Sequence, residues 1–152
     1  MGMTFTEFED FLFSKRCFEN HDVSYIDIEG NQHYLDQTDY MMYQIKVAEL
    51  IVSINTIKVE QCEQWFNTTG TAHIFYNKEN GPSFGVHTDP VDVIIECLDG
   101  TKYMEIEGKE KVLKPKGFVH ILAGTNHRAL NYEKALMISY GASDTETLTR
   151  IR

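Results

Sequence analysis

The sequence is short of cationic side chains, of cysteine and of proline. Lys and Arg number 14 against 23 Asp and Glu, so the formal net charge is -9. That deficit argues against a general nucleic-acid binder, because neutralising phosphates takes an excess of Lys and Arg. It leaves room for a cationic partner, such as a peptide carrying Lys or Arg, beside a small molecule. The three cysteines, Cys17, Cys62 and Cys97, are far apart and odd in number, and no Cys-x-x-Cys occurs. Neither a disulfide framework nor a zinc knuckle is indicated. Reduced thiols in a cytoplasmic protein are the expectation. No uninterrupted apolar run approaches the roughly 20 residues that a membrane helix needs, so no membrane partner is expected. The opening M-G-M-T-F-T-E-F-E-D is acidic and lacks the basic start of a secretory signal.

What is there fits one domain, 1–152, with one core. Residues 4–13 read as an amphipathic helix. Thr4 and Glu7 make a capping box, and Phe5, Phe8 and Leu12 share a face that should pack on the outside of a barrel. Residues 23–28 and 32–35 flank Glu29-Gly30-Asn31 and read as a hairpin, with His21 and His33 as non-ligands. Residues 39–54 are ambiguous between helix and strand. Residues 57–66, with Val59, Cys62, Trp65 and Phe66 on one face, read as a helix. From Thr71 onward short apolar runs alternate with Gly, Pro, Asn and Asp. The texture predicts a mainly β fold, an antiparallel sandwich or barrel of the jelly-roll kind, cupin types among them. The division expected is N-terminal helices and a hairpin over 1–70, packed on a barrel core over 71–141.

The chemistry concentrates in S-F-G-V-H-T-D-P-V-D-V-I-I-E-C-L-D-G-T-K, Ser83–Lys102. His87 and Asp89 lie two apart and point the same way on an extended chain. His127 follows forty residues after His87. Two histidines and a carboxylate are the ligand set of a non-haem Fe(II) centre with open positions. On K-Y-M-E-I-E, Lys102 shares a face with Met104 and Ile106, so the ammonium should look inward, where a lone cation is costly. A ligand carboxylate would serve as its partner. His73 and His120 lie in apolar strands and read as structural histidines. Cys97 reads as a small core residue.

These residues resemble the JmjC-type, cupin-like oxygenases that depend on Fe(II) and 2-oxoglutarate, and within them the ribosomal oxygenases. The resemblance covers about Ala72 to Gly141. H-T-D-P-V-D-V-I-I-E-C-L-D-G-T-K is similar to the family's His-x-Asp strand followed by Gly-x-basic. Leu113, Pro115, Ile121, Gly124 and His127 match its Leu-x-Pro…Ile-x-x-Gly-x-x-His stretch. Lys116-Gly117 and Leu122 depart from it, and the family's C-terminal dimerisation helices have no counterpart in this length. The resemblance implies a double-stranded β-helix holding Fe(II) through His87, Asp89 and His127. It implies 2-oxoglutarate as cosubstrate, its distal carboxylate on Lys102, with Tyr76 or Ser83 adding a hydrogen bond, and hydroxylation of an unidentified substrate. Two rival readings stand beside it. One is a metal-binding cupin with another activity, such as an isomerase or a different dioxygenase. The other is a non-catalytic binding barrel.

Overall fold

The computed structural model describes residues 3–13, 17, 22–27, 29–36, 49–57, 70–81 and 83–141. The expected helix over 57–66 lies outside them, apart from Ile57, as does His21. The first helix, α1, spans Phe5–Phe13. Its capping box forms as read: the Glu7 N–H donates to Thr4 Oγ1 at 3.1 Å, and the Thr4 N–H to Glu7 Oε1 at 3.3 Å. A further orphan donor of this terminus, the Phe5 N–H, reaches Asp99 Oδ2 at 2.9 Å and pins the helix to a strand.

Ten strands follow among the described residues: β1 Asp22–Ile26, β2 Gln32–Tyr34, β3 Glu49–Ile57, β4 Gly70–Asn77, β5 Val93–Gly100, β6 Lys102–Ile106, β7 Lys109–Leu113, β8 Phe118–Ile121, β9 His127–Leu130 and β10 Ala135–Gly141. They pair antiparallel into a seven-stranded sheet, β2-β1-β3-β4-β10-β5-β8, and a three-stranded one, β7-β6-β9. The fold is mainly β, a cupin-like jelly roll, as the strand texture predicts. The β1–β2 hairpin forms with Ser24 opposite Tyr34. The ambiguous stretch 39–54 resolves from Glu49 onward as strand β3, between β1 and β4. The N-terminal segment thus supplies strands to the large sheet as well as a helix to its face.

The large sheet is buried on both faces, which sets two cores. On the outer face Ala72, Ile74 and Tyr76 of β4 join Leu136, Ile138 and Tyr140 of β10 against Phe8 and Leu12 of α1. Between the sheets Val93, Ile95 and Cys97 of β5 meet Met137 of β10, Met104 of β6 and Leu113 of β7. Successive side chains of a strand alternate between those faces. Tyr76 therefore points outward while His73 and Phe75 point in. Gly100 closes β5 with φ +72°, and a Cβ there would meet Lys134 O at 2.3 Å and the Phe5 ring at 2.8 Å. The glycine of the Gly-x-Lys pattern is accounted for by this close approach under α1.

Candidate metal centre

Two backbone hydrogen bonds bring the candidate ligand set together. The His87 N–H donates to His127 O and the His127 N–H to His87 O, each at 3.0 Å. The segment carrying His-x-Asp is thereby laid along the start of β9, and the two rings sit 4.4 Å apart between centroids. A second tie crosses the same gap: Gly124, in the turn before His127, donates its N–H to Asp89 O at 3.0 Å. That turn is also held by Asp92, which accepts the Ala123 N–H at 2.8 Å and contacts His120 Nε2 at 3.0 Å. His120 is thus the structural histidine that its apolar strand suggested.

Each ligand imidazole is oriented by a carbonyl two residues before it. His87 Nδ1 lies 2.8 Å from Gly85 O, and His127 Nδ1 lies 2.9 Å from Thr125 O. A carbonyl can only accept, so both Nδ1 atoms carry the hydrogen, and the neutral tautomer of each ring has its lone pair on Nε2. His127 Nε2 faces Asp89 Oδ2 at 3.1 Å. One ligand atom from each of His87, Asp89 and His127 lies within 4.8 Å of the others. Two imidazole nitrogens and a carboxylate, with the rings fixed from behind, fit a divalent transition metal. His127 is 4% exposed and Asp89 34%, so the centre sits at the mouth of the barrel and faces inward.

Behind it opens a cavity of about 460 Å3 between the sheets. Phe75, Val93, Ile95, Met104, Ala129 and Met137 form its apolar wall. His73 and Ser139 are cross-strand neighbours on β4 and β10 and add a polar spot. Its apolar strand suggested a satisfied structural histidine at His73, and the structure places it on the cavity wall. Its ring has no hydrogen-bond partner among the described residues, and burial holds its pKa below the usual imidazole value, opposed by the Asp89 charge. The signal available in the sequence was parity, since His73 and Phe75 share the face opposite Tyr76.

The three residues expected to hold 2-oxoglutarate lie elsewhere or are engaged. Lys102 is inward and 1% exposed, as its strand parity indicated, yet it does not line the cavity. Its Nζ donates to Asn131 Oδ1 at 2.6 Å and Asn77 Oδ1 at 3.0 Å, with Glu49 Oε2 at 3.9 Å. Asn131 bridges the charges by donating from Nδ2 to Glu49 Oε2 at 2.8 Å. The partner carboxylate is thus Glu49 of β3, supplied by the protein. Burial pulls the Lys102 pKa down, against the raising effect of Glu49. Ser83 does line the cavity, but its hydroxyl donates to Glu49 Oε1 at 2.9 Å.

Tyr76 faces α1, stacking on Phe8 and donating to Glu9 Oε1 at 3.1 Å, so it offers the cavity nothing. Burial, reinforced by Glu9, pushes its phenol up to about 12. The folded state therefore holds this proton more tightly than the unfolded chain. The resulting stability is full below pH 10 and is lost as pH rises toward about 12. Urea midpoints should show wild type losing up to about 2–3 kcal/mol relative to Tyr76→Phe across that window. Metal affinity should be equal in the two proteins. An equal pH response would remove Tyr76 from its place under α1.

No family model matches the chain, and no curated protein does. Solved structures match in shape. A conserved Streptococcus pyogenes protein of unknown function superposes with TM-score 0.51 at 15% identity, covering 80% of this chain and 96% of that one. An RmlC-like cupin from Shewanella frigidimarina gives 0.48 at 11%, covering 65% and 80%. The DMSP lyase DddQ from Ruegeria pomeroyi gives 0.45 at 25%, covering 51% of this chain and 40% of the lyase. Among the described residues no helix is long and apolar enough to cross a membrane. Strand order, paired sheets and the match in shape to the Streptococcus pyogenes protein agree on one architecture: the chain folds as a jelly roll with a His-Asp-His cluster at the mouth of its barrel.

Proposed function

We propose that the protein is a metal-dependent enzyme acting on a small organic molecule that chelates the ion held by His87, Asp89 and His127. The observation that carries this is the convergence of their donor atoms within 4.8 Å, with both imidazoles held at Nδ1 by backbone carbonyls, which leaves Nε2 as the donor atom for an ion. A bound divalent ion would supply Lewis-acid polarisation of an oxygen-bearing substrate. The chain's own residues do the rest. The apolar wall excludes water from the reacting group, which strengthens every polar contact inside. His73, whose pKa burial holds below the usual imidazole value, is placed to accept a proton from a substrate group that reaches it. This reading corresponds to a metal-binding cupin with its own activity, an isomerase or a dioxygenase without 2-oxoglutarate.

The 2-oxoglutarate oxygenase reading is second. The donor set favours it, since two histidines and a carboxylate suit Fe(II) and oxygen chemistry. The commitment of Lys102 to Asn77, Asn131 and Glu49 speaks against it. The test is to load the protein anaerobically with Fe(II), Mn(II) or Co(II) and count ions per chain. The loaded forms are then assayed against small carbon acids for oxygen uptake with and without 2-oxoglutarate, and for proton exchange by NMR. One ion per chain and metal-dependent turnover without 2-oxoglutarate are expected. Turnover that requires 2-oxoglutarate would transfer the site to the second reading. Stoichiometric metal with no turnover of any carbon acid would leave a binding barrel.

A further inference from the structure

The charges missing among the described lining residues restrict what can bind beside an ion held at the mouth. Asp89 is the acidic residue among the described lining residues, and it belongs to the ligand set. No Lys or Arg lies among them. The nearest candidate by sequence, Lys102, is fully engaged behind the wall. The remaining polar side chains among the described lining residues are Gln32, Tyr34, Ser83, Ser139 and His73, whose pKa burial holds below the usual imidazole value. A charged tail pushed into this space would surrender its hydration without gaining a counter-ion, which is the expensive way to bury a charge. An alkyl or aryl tail would instead exchange water for Phe75, Val93, Ile95 and Met137.

We propose that the site selects small acids with a chelating head and an uncharged, mainly apolar tail, with room for one neutral polar group beside His73 and Ser139. The head places its oxygens on the ion, and the tail fills the cavity of about 460 Å3, which lies within the range of small-molecule sites. Dicarboxylates and amino-terminated chains are rejected, because the described lining residues offer their second charge no partner. This rests on the metal reading above and narrows it from a fold to a substrate class.

Two 2-oxo acids with the same head and different tails make the test. Metal content is measured first on the full chain. Protein loaded with Co(II) is then titrated anaerobically with 4-methyl-2-oxopentanoate and with 2-oxoglutarate, following the Co(II) absorption bands and the heat of binding. The branched apolar tail is expected to bind tighter by about tenfold or more, the difference between a buried isobutyl group and a carboxylate with no partner. A second arm uses Ala129→Lys, which places an ammonium on the cavity wall. In a folded, metal-loaded Ala129→Lys protein the preference should shrink or reverse. Equal or tighter binding of 2-oxoglutarate by wild type would overturn the proposal. So would failure of both acids to bind metal-loaded protein, or an Ala129→Lys protein with an unchanged preference. Those outcomes leave the metal centre standing, whereas a chain that takes up no metal overturns both.

Discussion

Replacing Asp89 by alanine is expected to abolish stoichiometric binding of Fe(II) or Co(II) at micromolar concentrations, with the fold unchanged by circular dichroism. His87→Ala should do the same. Both side chains sit at the mouth, His87 exposed and Asp89 34% exposed, so removing them leaves little cavity and little strain. His127 is 4% exposed, and its alanine variant should lose metal together with some stability. A control separates ligand from neighbour. His73→Ala alters the same cavity without touching a donor atom, so its metal affinity should stay within a few fold of wild type. Each variant is compared with wild type by anaerobic titration and by metal content after gel filtration. Unchanged stoichiometry in Asp89→Ala or His87→Ala would remove that residue from the ligand set.

A second large effect concerns stability. Lys102→Met should destabilise the protein by roughly 3–5 kcal/mol, because it strands the Glu49 carboxylate in a site that excludes water. Glu49 is 0% exposed and would keep only Asn131 and Ser83 as donors among its described partners. Adding Glu49→Gln to Lys102→Met removes the stranded charge, so the double variant should recover part of the loss. That recovery is a coupling energy, readable as a double-mutant cycle from urea midpoints. Metal affinity should barely move in any of the three. The oxygenase reading expects the opposite emphasis, with 2-oxoglutarate binding falling by two to three orders of magnitude in Lys102→Met. A variant as stable as wild type would mean that the buried pair contributes nothing net.

The comparison of sequence with structure turns on parity and on distance along the chain. His87 and Asp89 were legible because an i, i+2 pair on an extended segment must share a face. The inward set of Lys102 and Met104 was legible by the same rule. What parity cannot give is what lies across the fold. Glu49 is 53 residues before Lys102 in a stretch whose pattern was ambiguous, so the lysine looked partnerless. Tyr76 was misplaced for a related reason. The large sheet is apolar on both faces, so alternation along β4 separates two sets without telling which one faces the cavity. Packing of Phe5 and Phe8 against Tyr76 decides it. Only then does His73 emerge as a cavity residue.

The Glu49–Asn131–Lys102 network also has a temporal meaning. Asn131 and Glu49 are 82 residues apart in sequence, and Asn77 and Lys102 are 25 apart. Contacts across such loops pay closure entropy before they form, and the network is expected to close late in folding. On that order the ammonium and the carboxylate would stay hydrated over most of the folding route and surrender their water near its end. Interactions absent from the transition state act on the rate of unfolding far more than on the rate of folding. In a chevron plot of Lys102→Met the loss should appear on the unfolding limb, with the folding limb nearly superimposed on wild type. The buried pair would then act as a latch on the finished barrel, lengthening the lifetime of the native state while leaving the speed of its assembly to the local strand pairs.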